Sequence, residues 1–211
     1  GEVSPAKFIP VAEQAGLISR VTLTMLRKAL HTMANLPNDV KLSFNLSPHD
    51  IVSKTTILEL IAMVAASGVS RARSGFELTE PAFIHSYETA RDHIAGLQQS
   101  GFSVALDDFG TGFSSLSHLR MFTFDKIKID KSFVAEITDR PDSAAIICAV
   151  TGLARSLDIV TTAEGIENEE QLGMLRAAGC TQGQGYLFGR PRPAAEYLPL
   201  FFAKTPLRQL A

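Results

Sequence analysis

Asp107 and Asp108 stand side by side at the end of the apolar run 104–106 and lead into a loop with glycines at 110 and 112. Successive strand residues point to opposite faces, so adjacent carboxylates converge on one target only if the strand stops and the backbone turns. Gly110 and Gly112 permit that turn. Two carboxylates held together with no cationic neighbour repel, and a divalent cation or a shared proton is the usual relief. The chemistry this predicts is a metal centre.

Further oxygen-bearing side chains recur at comparable places along the chain: Asn45, Glu77, Glu164, Glu167 and Gln184. With Asp107 and Asp108 they form an all-oxygen set lacking histidine and thiolate, which suits Mg2+ or Mn2+ better than zinc or copper. Lys128 shares a strand face with Lys126 and Asp130 in KIKID. Burying a lysine is costly unless carboxylates pair with it, and beside a metal it can orient or deprotonate a water. Glu80, just past the segment GFELT, could hold the glycine loop by accepting backbone N–H bonds. Each residue alone has a plainer reading. Glu77 could be a surface strand residue, Asn45 a turn residue before Pro48, Glu167 a charge at a helix N-terminus, Lys128 a solvated lysine and Glu80 a helix cap. Taken together, those readings require the whole set to fall at strand ends by chance.

The elements that must position these residues alternate. Segments 40–46, 75–79, 102–107, 124–130, 158–163 and 181–184 read as strands. Helical patterns follow at 55–67, 87–100, 114–121, 143–157, 168–178 and from about 193, with two more, 4–15 and 18–35, ahead of the first strand. Asn168 with Gln171 makes a capping box. Strand–helix alternation predicts a parallel sheet with crossover helices. A polar residue closes each strand: Asn45, Glu77, Asp107, Lys128, Glu164 and Gln184. An open doubly wound sheet places its ligand at one switch point, whereas a barrel builds its site from many strand ends. The fold expected is therefore α/β, a TIM-like (β/α) barrel. A closed barrel takes about eight strands, so this one is incomplete at the N-terminus.

Composition narrows the partners. The 211 residues carry a net charge of -2 and are 45% hydrophobic, enough for one packed domain and not a surface for coating nucleic acid. Cys148 and Cys180 lack CxxC spacing, and no apolar run approaches the ~20 residues of a membrane span; a reducing cytoplasm fits. There is no Walker loop and no GxGxxG fingerprint. The histidines at 31, 49, 85, 93 and 118 fall away from strand ends.

FNLSP, FELTE, LDDFGTGFSSL, KIKID, AEGIE and QGQGYLFGRP occur in the order and spacing of the EAL-domain family, and SPAKFIPVAEQAGLI also resembles it. The resemblance covers residues 1 to 195 within a single EAL-type domain, 1–211. It implies a TIM-like barrel that hydrolyses the bacterial second messenger cyclic di-GMP to linear pGpG with two Mg2+ or Mn2+ ions. On it, Asn45, Glu77, Asp107, Asp108 and Glu167 are metal ligands and Glu164 completes the second metal's surroundings. Lys128 holds the attacking water, Glu80 fixes the aspartate loop, and Gln184 and Arg190 contact substrate. It also implies a homodimer and upstream sensory or GGDEF-type domains, which could attach the protein to a membrane. The glutamate of the Glu-Ala-Leu motif and a phosphate-contacting arginine would lie before Gly1, within about forty residues that carry two strands. The stretch from Gly1 alone is expected to be impaired. Pro81 and Thr123 depart from the family pattern in loops. A cyclic di-GMP receptor that does not cleave, and a barrel acting on another phosphoester, remain alternatives.

Overall fold

The computed structural model describes residues 3–83, 86–110 and 119–202. The chain divides into two compact units, Gly1–Val104 and Ala105–Ala211, with the division falling inside a strand.

In the first unit, α1 (Pro5–Gln14) starts with Pro5 in its first turn, where a missing N–H costs nothing, and Gly16 at φ 67° turns the chain into α2 (Ile18–Met33). The strands β1 (Leu42–Asn45) and β2 (Ser74–Thr79) pair in parallel, with Asn45 opposite Glu77. Between them lie α3 (Pro48–Val52) and α4 (Lys54–Ser67); α5 (Tyr87–Gln99) follows β2. The segment after Asn45, for which the periodicity predicts no element, holds the short helix α3. Ser47 caps it and Asp50 closes a capping box, with Pro48 in the first turn. Helix α2 packs on α4 and α3 on α5. Leu26, Leu60, Val64, Phe76, Leu78 and Leu97 fill this unit's core. Each such side chain contributes about 1.5–3 kcal/mol by leaving water.

Arg73, before β2, is buried, and its guanidinium bonds the carbonyls of Pro37 at 2.7 Å and Val40 at 2.9 Å. It thereby ties together the backbone of the connection from α2 to β1. Gly75 has a packing reason: a Cβ there would stand 2.5 Å from the Ser103 hydroxyl.

In the second unit, β3 (Ser103–Phe109), β4 (Lys126–Ile129), β5 (Val160–Ala163) and β6 (Gln182–Gly183) pair in parallel in that order. The helices are α6 (Lys131–Glu136), α7 (Pro141–Ser156), α8 (Glu169–Ala177) and α9 (Ala194–Phe202). Asn168 and Gln171 make the expected capping box. The short α6 has no counterpart in the periodicity, while Asp130, its N-cap, was legible only as a strand-face residue. The core here is Leu106, Ile127, Ile129, Val134, Ile147, Ala163 and Ile166. No helix among the described residues is long and apolar enough to cross a membrane. Of the expected helix at 114–121, residues 114–118 lie outside the described residues and 119–121 are helical.

Candidate metal centre

Strand register sets the second unit's polar residues in a row. Lys128 pairs with Thr162 across β4 and β5; beyond them the Glu164 amide donates to the Ile129 carbonyl at 3.1 Å. The Gln184 amide donates to Ala163 at 2.9 Å, and Ile166 donates to Gln184 at 3.1 Å. Lys128, Glu164 and Gln184 therefore occupy the downstream ends of three successive strands.

The aspartates reach this row by a different device from the one the sequence predicts. β3 does not stop at Asp107 but runs on to Phe109, and its pairing with β4 shifts between Leu106 and Phe109. Asp108 sits in that irregularity with φ 52°, a left-handed conformation that aspartate tolerates better than most residues. The extra residue cancels the alternation of faces. Asp107, Asp108 and Glu164 consequently each offer a carboxylate oxygen within 4.8 Å of one another. Gly110, at φ 100°, lies where a Cβ would meet the Phe133 ring at 2.8 Å, so a larger residue there would have to shift that ring.

The cationic neighbour absent from the local sequence is supplied by the fold. Lys128 is 4% exposed; its ammonium donates to Asp107 Oδ1 at 2.9 Å and also forms an ion pair with Glu164 Oε1. Gln184 Nε2 donates to that same Glu164 oxygen at 2.8 Å, and the Asp108 amide donates to Asp107 Oδ1 at 2.9 Å. Lys128 thus pairs directly with Asp107 and Glu164, while at Asp108 its charge offsets only part of the repulsion from Asp107 and Asp130. Burial, then the neighbouring Asp107 and Asp130 charges, push the Asp108 carboxyl above its ordinary value. Asp130 is also partly desolvated, but hydrogen bonds from the Ser132 hydroxyl and amide outweigh that and hold it low. One ammonium among these carboxylates leaves a surplus of negative charge on hard oxygen donors, and that fits Mg2+, Mn2+ or Ca2+.

Glu164 also borders a cavity of about 420 Å³ lined by Lys131, Glu167, Gln184, Tyr186 and Gly189, among others. Glu167, expected as a ligand, lies on this wall and not in the three-carboxylate group; its amide is held by the Gln171 side chain at 2.8 Å. Arg190 stacks its guanidinium over the Tyr186 ring, 4.3 Å from the centroid. Gly185 is required by close approach, since a Cβ there would overlap the Ile166 backbone.

In the first unit, Asn45 and Glu77 stand together at adjacent strand ends. Glu77 is buried and accepts a hydrogen bond from the Ser43 hydroxyl. Glu80 occupies a short turn, 80–83, after β2, while most of the glycine loop expected as its partner, 111–118, lies outside the described residues. Of the histidines, His93 donates from Nδ1 to the Ile51 carbonyl at 2.6 Å; His85 and His118 fall outside the described residues. Ser43 and Asp130 are the neighbours that sequence reasoning missed as site residues. Strand alternation toward Asn45 and Lys128 was the available signal for both.

The family model of the EAL domain matches residues 1–191. A cyclic di-GMP phosphodiesterase of Pseudomonas aeruginosa, RocR, is 33% identical over 94% of this chain and 51% of its own length. Among solved structures, the PaMucR phosphodiesterase in complex with c-di-GMP superposes with a TM-score of 0.86 at 30% identity, covering 92% of this chain and 80% of that one. Klebsiella pneumoniae BlrP1, solved with manganese and cyclic di-GMP, gives 0.77 at 31% identity over 82% of this chain and 45% of its own. The α/β, TIM-like barrel fold expected from the sequence is the fold of these domains. The chain spans 24–51% of the length of curated relatives it matches.

Proposed function

The chain belongs to the EAL-domain family, and from that premise we propose that it hydrolyses one phosphodiester bond of cyclic di-GMP, adding one water to give linear pGpG. The observation that carries this reading is Lys128 fixed between Asp107 and Glu164, with Asp108 turned to the same point. Two divalent ions, Mg2+ or Mn2+, would supply Lewis acidity there, lowering the pKa of a water so that hydroxide is available to attack and offsetting charge on the phosphate.

The protein's own part is positioning and proton management. In this reading Asp107 and Asp108 hold the ions with Glu164 completing their surroundings, and the family resemblance assigns ligand roles to Asn45, Glu77 and Glu167 as well. Lys128 directs an N–H toward the attacking water, and its own orientation is set by Asp107 and Glu164. Gln184 keeps the Glu164 carboxylate from rotating away and contacts the substrate. Glu80 steadies the aspartate loop. Arg190, stacked on Tyr186 beside the cavity, meets the nucleotide. One domain over 1–211, a cytoplasmic homodimer and upstream sensory or GGDEF-type domains belong to the same proposal.

The test is incubation with cyclic di-GMP and Mn2+ or Mg2+, with nucleotides separated chromatographically. Linear pGpG is expected, and Asp107→Ala is expected to abolish its formation. Tight binding with no product under either ion would make the protein a receptor and overturn the assignment.

A further inference from the structure

We propose that Tyr197, on the C-terminal helix α9, is a positioning residue for nucleotide recognition. It acts by pinning the segment 186–190 that walls the cavity beside Glu164. Tyr197 lies beyond the residues 1–191 that the EAL model matches, so the family assignment gives it no role.

The wall segment is held at one end only by backbone. The Leu187 amide donates to the Ile166 carbonyl at 3.0 Å, and the Phe188 amide donates to Gly185 at 3.1 Å. Among the described residues, no backbone bond ties the chain between Gly189 and the start of α9, and there the Tyr197 hydroxyl donates to the Arg190 carbonyl at 2.5 Å. The ring reaches this carbonyl because residue 189 is glycine: a Cβ there would stand 2.9 Å from the Tyr197 oxygen. Arg190 is thus fixed through its main chain by Tyr197, while its guanidinium lies on the exposed Tyr186 ring. A cation stacked on an aromatic ring presents a planar, positively charged face, suited to a purine base or a phosphate. Such a platform helps binding only if its geometry is set before the ligand arrives, since ordering it afterward costs affinity.

This inference rests on the cyclic di-GMP reading for its ligand, but not for its mechanical part. Tyr197→Phe keeps the ring and removes the hydroxyl that holds Arg190; Gly189→Ala pushes on the same hydroxyl from the other side. Hydrogen exchange of the whole protein without ligand reads the mechanical part. Both variants are expected to speed exchange at Leu187–Arg190 while leaving β4 and β5 unchanged. Calorimetry with cyclic di-GMP in Ca2+, the ion present with this nucleotide in a second BlrP1 structure, reads the consequence. Loss of one hydrogen bond predicts affinity about three- to tenfold weaker in Tyr197→Phe, with Mn2+ affinity measured without nucleotide unaltered. Unchanged exchange at 187–190, or equal nucleotide affinity of the variant and the parent protein, overturns the role of Tyr197. Absence of nucleotide binding by the parent protein overturns the cyclic di-GMP reading instead, and exchange still decides the pinning.

Discussion

The two units of the chain treat buried charge in opposite ways. In the first, charges are met by dipoles. Asp50, fully buried, accepts from the hydroxyls of Ser19 at 2.6 Å, Thr22 at 2.8 Å and Ser47 at 2.8 Å, and from the Ser47 amide at 3.1 Å. Arg73 is met by carbonyls, and Glu77 takes a hydroxyl from Ser43. In the second unit, charge meets charge: Lys128 lies between Asp107 and Glu164, and Asp108 is crowded by Asp107 and Asp130. At Asp50 the dipoles of α2 and of the α3 cap hold the two helices together. A cluster of unequal opposite charges responds to protons and ions, and it is the arrangement expected where chemistry is done.

The sharpest test of this contrast is Lys128→Met. Removing one partner from a buried charge network leaves the others uncompensated, and about 3–5 kcal/mol of stability is expected to go, measured by urea unfolding without metal. Added Mn2+ should restore part of that loss, because an ion can replace the missing positive charge. In the parent protein, Mn2+ at one hundred times its dissociation constant should raise stability by about 2.7 kcal/mol. Asp107→Ala is expected to remove that gain; an undiminished gain in the variant would place the ion elsewhere.

Asp50→Asn probes the dipolar region and should cost less, about 1–3 kcal/mol, since one amide hydrogen then faces donors that want an acceptor. Its cost should not depend on Mn2+. If it exceeds that of Lys128→Met, the contrast between the units fails.

The smallest effect concerns pH. The folded protein holds the Asp108 proton above the ordinary value of 3.8, whereas the unfolded chain releases it there. The folded state therefore binds more protons across that window, and the contribution of Asp108 to metal-free stability falls as pH rises through its raised pKa. Asp108→Asn should flatten that part of the profile and stabilise the metal-free protein above it, while weakening Mn2+ binding. A profile identical to that of the parent protein would remove Asp108 from the cluster. Asp130 acts oppositely: its lowered carboxyl contributes stability that is lost as pH falls through the lowered value.

Much of this was legible in residue order. Alternation located every described strand within a few residues, and the Asn168–Gln171 capping box was read correctly. The helices α3 and α6 were not, because five or six residues give too little periodicity to separate a helical turn from a loop. The capping pattern Ser47-Pro48-His49-Asp50 was the signal for the first of them. At the candidate metal centre, the residue types were readable and their grouping was not. Glu164 and Glu167 both border the cavity, but only Glu164 also reaches Asp107 and Asp108; the chain turns between the two at Gly165, φ 71°.

By itself the sequence determined which candidate donors this protein has: oxygen-bearing side chains and one lysine, most of them at or just past strand ends, in the pattern of one family. Their order along the chain suffices for that, since strand periodicity and turn residues are local. Only the tertiary structure decided that β3 passes through Asp108 in a left-handed bulge, and that Lys128 answers the charge of Asp107 and Glu164 while Asp108 bears the remaining repulsion. Both depend on how β3, β4 and β5 are registered against one another. Register is a long-range property, set by the packing of whole strands and not by the residues beside the aspartates.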